Sequence, residues 1–321
     1  MTERVGILAH GDTWHVQALS AALARLGCDA VPVPATRLAG RVGLGQDGPA
    51  SPLGPRPPTG PGAPGGLSIR AEGRALESLD ALLVRFIPPG SLDQIVFRMD
   101  LLHVLYDSGM PVVNPPRAVE RTVDKHWTSR LLGEAGVPTP RTIAAESFED
   151  AMEAFRGLGD VLVKPLFGSG GRGIVRVTDE DLAYRTFRAL EMQRAVFYVQ
   201  EFVPHGRSDL RFFVVGGRVV AAARRTGDGW KTNVAAGAGM QPHAPGPGEE
   251  DLAVRAARAV GADYAGVDLI EAEDGRLLVV EVNGIPGWSA LQRTTSIDLA
   301  QEVASLTRTR LAARRAEARR A

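Results

Sequence analysis

The chain has 321 residues, 44% hydrophobic and 23% charged, an ordinary composition for a globular protein of two or three domains. Its 37 basic side chains balance 37 acidic ones, so no global field selects nucleic acid or a membrane surface. One cysteine, Cys28, excludes an intrachain disulfide and a zinc–cysteine cluster. The opening Met1-Thr-Glu-Arg-Val-Gly-Ile-Leu-Ala is interrupted too soon for a signal peptide, and no apolar run reaches membrane-spanning length. The expectation is a cytoplasmic protein with neither a nucleic-acid nor a membrane partner.

Residues 5–9 form an apolar run ending at Gly11-Asp12-Thr13, and apolar residues then recur at helical spacing over 14–26, which predicts a strand, a turn and a helix. A second strand follows at 30–33. Residues 43–66 are rich in glycine and hold Pro49, Pro52, Pro55, Pro57, Pro58, Pro61 and Pro64. Such a stretch cannot feed a sheet ladder or bury a core, so a disordered surface loop is expected. A strand at 79–85, a helix at 92–108 and a short strand at 112–113 continue the alternation, describing a small open parallel sheet over residues 1–115. Ligands of such sheets sit beyond the carboxyl ends of the strands, where Gly11, Asp12 and Arg85 project. Arg85 reads either as a carboxylate anchor for an acceptor substrate or as a solvated strand end.

Residues 118–135 read as one helix containing Asp124 and Lys125, ended by Gly136, Pro138 and Pro140. A helix at 148–158 leads into the strand Val161-Leu-Val-Lys164. The loop Gly168-Ser169-Gly170-Gly171-Arg172-Gly173 and a strand at 174–177 follow. Glycines let backbone N–H groups approach a polyphosphate closely. Because the loop lies between two strands, it is neither a P-loop nor a dinucleotide fingerprint, both of which open a helix. Lys164 beside it can neutralise phosphate as a point charge.

The strand 197–203 carries Gln200, Glu201, Phe202 and Val203, and its backbone edge with the Glu201 carboxylate suits an adenine and a ribose. Asp209 and Arg211 alternate on one face of the next strand. Arg224 and Arg225 lie near the end of its hairpin partner, just before Trp230-Lys231-Thr232-Asn233. Over 266–284, Gly-Val-Asp-Leu-Ile, a turn at Gly275 and Leu-Leu-Val-Val-Glu-Val-Asn-Gly form another hairpin signal. Period-2 alternation puts Glu281 and Asn283 on one face, with Asp268 able to lie opposite. This oxygen-only set suits a hard cation that bridges phosphates, which suggests Mg²⁺ with ATP. Basic groups facing such a metal set are what a phosphoryl-transfer transition state requires. A solvent-facing strand without chemistry is the alternative.

The ordered set Asn114, Asp124-Lys125, Val163-Lys164-Pro165, 168–173, Gln200-Glu201-Phe202, Asp209-Leu-Arg211, Arg224-Arg225, Lys231-Thr-Asn233, Ala265-Gly-Val-Asp268 and Glu281-Val-Asn283 resembles the ATP-grasp superfamily. Within it, the chain resembles the group of the ribosomal protein S6 glutamate ligase, over about residues 80–305. Trp230-Lys-Thr-Asn233 and Pro286-Gly-Trp288 look like the branch that attaches glutamate to tetrahydromethanopterin or deazaflavin cofactors.

The resemblance implies an α/β fold, α+β overall. An N-terminal open parallel domain (1–115) precedes a two-part ATP-grasp fold (116–194 and 195–321) that holds the nucleotide between two antiparallel sheets. Lys125, Lys164, the 168–173 loop, Gln200 to Val203, Asp209, Lys231, Thr232 and Asn233 would bind ATP. Asp268, Glu281 and Asn283 would hold two Mg²⁺ ions, with Mn²⁺ as an alternative, and Arg211 and Arg225 would stabilise an acyl phosphate. The implied activity is ATP-dependent carboxylate–amine ligation, adding an amino acid such as glutamate to a carboxylate-bearing acceptor, by a homo-oligomer. No covalent nucleophile is needed, so Cys28 and the histidines are assigned no catalysis. A glutamate ligase acting on a protein C-terminus or a carrier protein, and a non-ligating ATP-binding regulator, remain open alternatives. Two departures stand out: residues 235–239 are Ala-Ala-Gly-Ala-Gly where relatives place an arginine and two glycines, and Gly171 stands where they place glutamine or glutamate.

Overall fold

A computed structural model gives the fold, and the structure describes residues 2–42, 68–168, 170–230, 239–318 and 320. The expected loop at 43–66, Ser169 and the segment Lys231, Thr232 and Asn233 lie outside the described residues. Two compact units form: residues 1–117 with 298–321, and residues 118–297.

In the first unit the order is β1 (Arg4–Ala9), α1 (Trp14–Arg25), β2 (Asp29–Pro34), β3 (Leu38–Arg41), β4 (Ser68–Ala71), β5 (Arg74–Ala75), β6 (Ala81–Val84), α2 (Leu92–Asp107) and β7 (Val112–Val113). Strands β2-β1-β6-β7 make a sheet whose pairs are all parallel. Val5, Ile7 and Leu8 are buried on β1, as are all four residues of β6, the continuous apolar run of a strand covered on both faces. Thr13 caps α1, its Oγ1 accepting from Val16 N at 3.4 Å. Strands β3, β4 and β5 form a small antiparallel sheet that hydrophobic periodicity did not reveal.

The C-terminal helix Leu299–Ala318 belongs to this unit, whereas the sequence expectation groups residues 195–321 together. Leu299, Val303, Thr307 and Leu311 are buried one turn apart, and the helix packs on α1. Arg25 Nη2 meets Asp298 Oδ2 at 2.5 Å, and Arg315 pairs with Glu3 and Asp80. An apolar stripe four residues apart outweighs the basic surface residues in deciding where the helix goes.

The second unit runs α3 (Pro116–Val123), α4 (Lys125–Glu134), β8 (Thr142–Ala145), α5 (Phe148–Leu158), β9 (Val161–Lys164), β10 (Val175–Val177), α6 (Glu180–Met192), β11 (Phe197–Glu201), β12 (Ser208–Val215), β13 (Arg218–Thr226), β14 (Gly239–Pro242), α7 (Pro247–Val260), β15 (Tyr264–Glu271), β16 (Leu277–Asn283) and α8 (Ser289–Gln292). The single helix expected at 118–135 is broken at Asp124. That residue leaves helical geometry and caps α4, its Oδ1 accepting from Trp127 N at 3.0 Å.

Two antiparallel sheets result, β10-β9-β11-β8 and β14-β13-β12-β15-β16. The first rests Val161, Val163, Phe197 and Val199 on Phe155 and Phe187 of α5 and α6. Each such buried side chain contributes about 2 kcal/mol. The second rests Phe212, Val267, Leu269, Val279 and Val282 on Ala253, Ala256 and Val260 of α7. Among the sheet residues left off these cores, Lys164, Tyr198, Gln200, Asp209, Arg225, Asp268 and Glu281 line the clefts described next.

Candidate active site

Alternation along β9 sends Val161 and Val163 into the core and leaves Leu162 and Lys164 on the other face. Lys125, the first residue of α4, reaches the glycine loop, its Nζ donating to Gly168 O at 2.8 Å and Leu166 O at 3.3 Å. Lys125, Lys164, Gly168, Gly171, Arg172 and Glu281 all line one cleft. Gly168, Gly170, Gly171 and Gly173 have φ of 140°, 70°, 73° and 73°, so the loop adopts backbone that side-chain-bearing residues avoid. Burial pushes the Lys164 ammonium down to about 8, Glu281 partly opposing and Lys125 adding to the shift. Burial also lowers Lys125, against Glu281 and Asp124.

A buried ionic network stands on the second sheet. Arg211 of β12 lies opposite Asp268 of β15, and Asp209 of β12 lies opposite Arg225 of β13. Arg211 Nη1 donates to Asp268 Oδ1 at 2.7 Å. Arg225 Nη2 is 3.0 Å from Asp268 Oδ2, and its Nε and Nη2 donate to Asp209 at 2.7 and 2.5 Å. Burial alone would raise Asp268, but Arg211 and Arg225 outweigh it and hold the carboxyl below its ordinary range. Burial likewise works against the Arg225 charge, and Asp268 and Asp209 overcome it, leaving the guanidinium raised. Gly266 permits this packing, because a Cβ there would strike the Arg211 guanidinium. Arg224, which alternates with Arg225, donates to Ser208 Oγ at 3.2 Å instead.

Glu281 of β16 is the register partner of Asp268, and Asn283 that of Gly266. Burial first, then the Asp268 charge, push the Glu281 carboxyl above its ordinary range despite Arg211, Lys125 and Lys164. A second cleft shares Lys164, Ile174, Val280 and Glu281 with the first and continues past Phe202, Trp230 and Ile270. Phe202 meets Trp230 edge-on at 5.9 Å, and the Arg176 guanidinium lies 3.6 Å over its ring. Arg176 is itself forked onto Asp160 at 2.9 and 2.5 Å. A polar end with two lysines and a carboxylate pair thus adjoins an aromatic end, the division a nucleotide requires.

A family model for the RimK-like ATP-grasp domain matches residues 122–307, more than half of the chain and all the strands of both antiparallel sheets. This chain belongs to the RimK-like ATP-grasp family. It is 37% identical over 235 residues to the tetrahydromethanopterin:alpha-L-glutamate ligase of Methanocaldococcus jannaschii, covering 71% of this chain and 79% of that protein. The Methanosarcina acetivorans protein of the same name is 31% identical over 257 residues, with the same two shares. The solved structure of the ATP-grasp ligase PsnB with minimal precursor, Mg and ADP aligns with a TM-score of 0.70 at 20% identity, over 96% of this chain and 98% of that one, a likeness of fold. ATP-dependent ligase chemistry goes with membership of the RimK-like ATP-grasp family.

The donors present fit the Mg²⁺ that ATP-grasp ligases use. Among the described residues Glu281 accepts no hydrogen bond, and its raised carboxyl is the kind of group a cation relieves. Asn283 Oδ1 accepts from Ile285 N at 3.0 Å, while the two Asp268 oxygens are shared with the arginines. The set is two carboxylates and an amide, and among the described residues no cluster of three or more His, Cys, Asp or Glu could hold a metal.

Several positions differ from the sequence expectation in detail. The Glu201 carboxylate is held by Arg141, whose backbone N and Nε donate to it at 2.9 and 2.6 Å. The Glu201 and Phe202 N–H groups donate to Arg141 O and Asp160 O, and Val203 O pairs with His205 Nδ1 at 2.7 Å. Gln200 lines the second cleft and also holds Lys164, whose Nζ donates to its Oε1 at 2.5 Å. In the first unit Arg85 is buried, its N–H donates to Leu8 O at 2.8 Å, and burial together with the Arg85 charge pushes His15 down to about 4. Arg141, Asp160 and Arg176 carry no motif in the sequence, and Gly266 stands in the Ala265-Gly-Val-Asp268 motif without an assigned role. Their signal is the antiparallel register, which sequence periodicity does not contain.

Proposed function

We propose that this chain is an ATP-dependent carbon–nitrogen ligase that joins the amine of L-glutamate to a carboxylate of a small acceptor of the tetrahydromethanopterin type. The observation that carries the reading is the Asp268–Glu281 pair, whose Asp268 is bound by Arg211 and Arg225 and which shares a cleft wall with Lys164. Two carboxylates beside buried cations form a site for a metal-bound polyphosphate and not for a neutral ligand. The names of the two archaeal relatives support glutamate and the acceptor class.

In this reading Lys125 and Lys164 neutralise the α and β phosphates, and Gly168, Ser169, Gly170, Gly171, Arg172 and Gly173 close over them. The aromatic end with Glu201, Phe202 and Val203 takes adenine and ribose, with Asp209 and Lys231 to Asn233 completing the nucleotide site. Asp268, Glu281 and Asn283 hold the metal, which we take to be two Mg²⁺ ions with Mn²⁺ as substitute; it supplies charge neutralisation at the phosphate oxygens. The acceptor carboxylate attacks the γ phosphorus, the bond to the bridging oxygen breaks, and ADP leaves an acyl phosphate. The glutamate amine then attacks the acyl carbon, phosphate departs with the bonding pair, and the amine loses a proton. Arg211 and Arg225 offset the negative charge on the transferring group.

We further place the enzyme in the cytoplasm as a homo-oligomer; among the described residues no helix is long and apolar enough to cross a membrane. Incubation with ATP, Mg²⁺, each amino acid and candidate acceptors, read by mass spectrometry, tests the proposal. The expected result is an acceptor heavier by one glutamate residue, with ADP released in equal amount. ADP formation without any mass increment would refute ligation.

A further inference from the structure

We infer that Gln200 is a positioning residue, which aims the Lys164 ammonium into the phosphate cleft through a buried hydrogen-bond chain ending at Ser129. The inference rests on the reading of Lys164 as a phosphate-binding lysine.

Tyr198 is the register partner of Lys164, and Gln200 that of Leu162, so both side chains share the face of β9 and β11 turned away from the Phe197 and Val199 core. Gln200 is 1% exposed and Tyr198 2%. A buried amide at such a position has to satisfy both its ends. Gln200 Nε2 donates to Thr142 Oγ1 at 2.9 Å and to Tyr198 Oη at 3.1 Å, leaving Oε1 for Lys164 Nζ at 2.5 Å.

The neighbours fix this orientation. Thr142 Oγ1 spends its own proton on Pro140 O at 2.9 Å, so it presents lone pairs to Gln200. Tyr198 Oη lies 2.7 Å from Ser129 Oγ, and a phenol that accepts from Gln200 gives its proton to that serine. Both Gln200 N–H groups, the Thr142 hydroxyl and the Tyr198 phenol then have acceptors. With the amide flipped, an NH₂ group would confront the ammonium, and an oxygen would lie between Tyr198 and a threonine whose proton is already spent. Lys164 is a flexible four-carbon stem with three donors. Gln200 takes one of them and directs the other two to the cleft, whose wall includes Ser129 and Tyr198. The competing account is a satisfied core amide that only stabilises β11.

The test measures ADP and adenosine binding by calorimetry on the full chain, as wild type, Lys164→Met, Gln200→Met, the double variant and Tyr198→Phe. Gln200→Met is expected to weaken ADP roughly tenfold, the scale of a lost charge-assisted hydrogen bond, and to leave adenosine within about twofold. The double variant is expected to bind ADP no more weakly than Lys164→Met, because Gln200 acts through that lysine. If Gln200→Met does not fold, Tyr198→Phe decides: about a threefold loss for ADP alone supports the chain, and no loss refutes it. Equal losses for ADP and adenosine, or a full further tenfold loss in the double variant, overturn the inference. Should Lys164→Met itself bind ADP normally, the reading of Lys164 falls and this inference with it; loss in Lys164→Met without loss in Gln200→Met refutes the inference alone.

Discussion

Asp268 and Glu281 face each other across β15 and β16 at the point where the ladder slips: Leu269 next pairs with Val279, and Val280 is left over. The slip is a β-bulge, and it sends two consecutive residues the same way. Val280 and Glu281 both line the clefts, while Val279 and Val282 on either side enter the core.

Glu281→Gln is therefore expected to keep the fold and lower ADP formation by roughly a thousandfold, since a neutral amide at the bulge cannot offset a divalent cation, a loss of about 4 kcal/mol. Steady-state ADP release at saturating Mg²⁺, with circular dichroism as a fold control, checks it. Near-normal turnover would remove Glu281 from the metal site.

If Lys164 binds phosphate as proposed, it should set a basic limit on nucleotide binding. Its pKa is depressed from 10.5 to about 8, so the charge is present below pH 8 and lost as pH rises through that value. ADP affinity should fall between pH 7 and 9, and binding above pH 8 should take up a proton, because phosphate favours the charged form. Calorimetry in buffers of different ionisation enthalpy reads both effects. Lys164→Met should abolish the slope, and a slope that persists in that variant would assign it elsewhere.

The Asp209–Arg225 pair should be structural as well as functional. Asp209→Ala strips both forked hydrogen bonds from a buried guanidinium and should destabilise the protein by about 3 kcal/mol. Adding Arg225→Met should restore part of the lost melting temperature. Strictly additive losses would show that the two side chains are not coupled.

Gly171, at φ of 73°, holds backbone that a β-branched residue adopts only with strain. Gly171→Val should reduce turnover far more than ADP affinity if the loop closes over the phosphates and keeps water from an acyl phosphate. Parallel losses in kcat and ADP binding would make it a static part of the nucleotide site.

Arg176→Ala removes the cation over Phe202 and its fork on Asp160, and should weaken adenosine binding about threefold while leaving the phosphate contribution intact. The difference between ADP and adenosine affinities is the measurement. A widened difference would place Arg176 on the phosphate side.

Much of this was legible in the chain. Lys164 at the end of Val-Leu-Val, the glycines of 168–173, and Glu281 two residues before Asn283 were readable because alternation and positive φ are local consequences of backbone geometry. The parallel sheet of the first unit was readable for the same reason, from strand and helix periods taken in order. Tertiary structure decided what depends on partners. It broke the 118–135 segment at Asp124, drew the helix Leu299–Ala318 onto α1, and placed the bulge that turns Val280 beside Glu281. It also chose which oppositely charged side chains meet, joining Arg141 to Glu201 across 60 residues and giving Asp268 two arginines. Any of the acidic residues could pair with any of the basic ones as far as composition goes. Register, and the free-energy penalty on every buried charge left alone, select the few pairs that form.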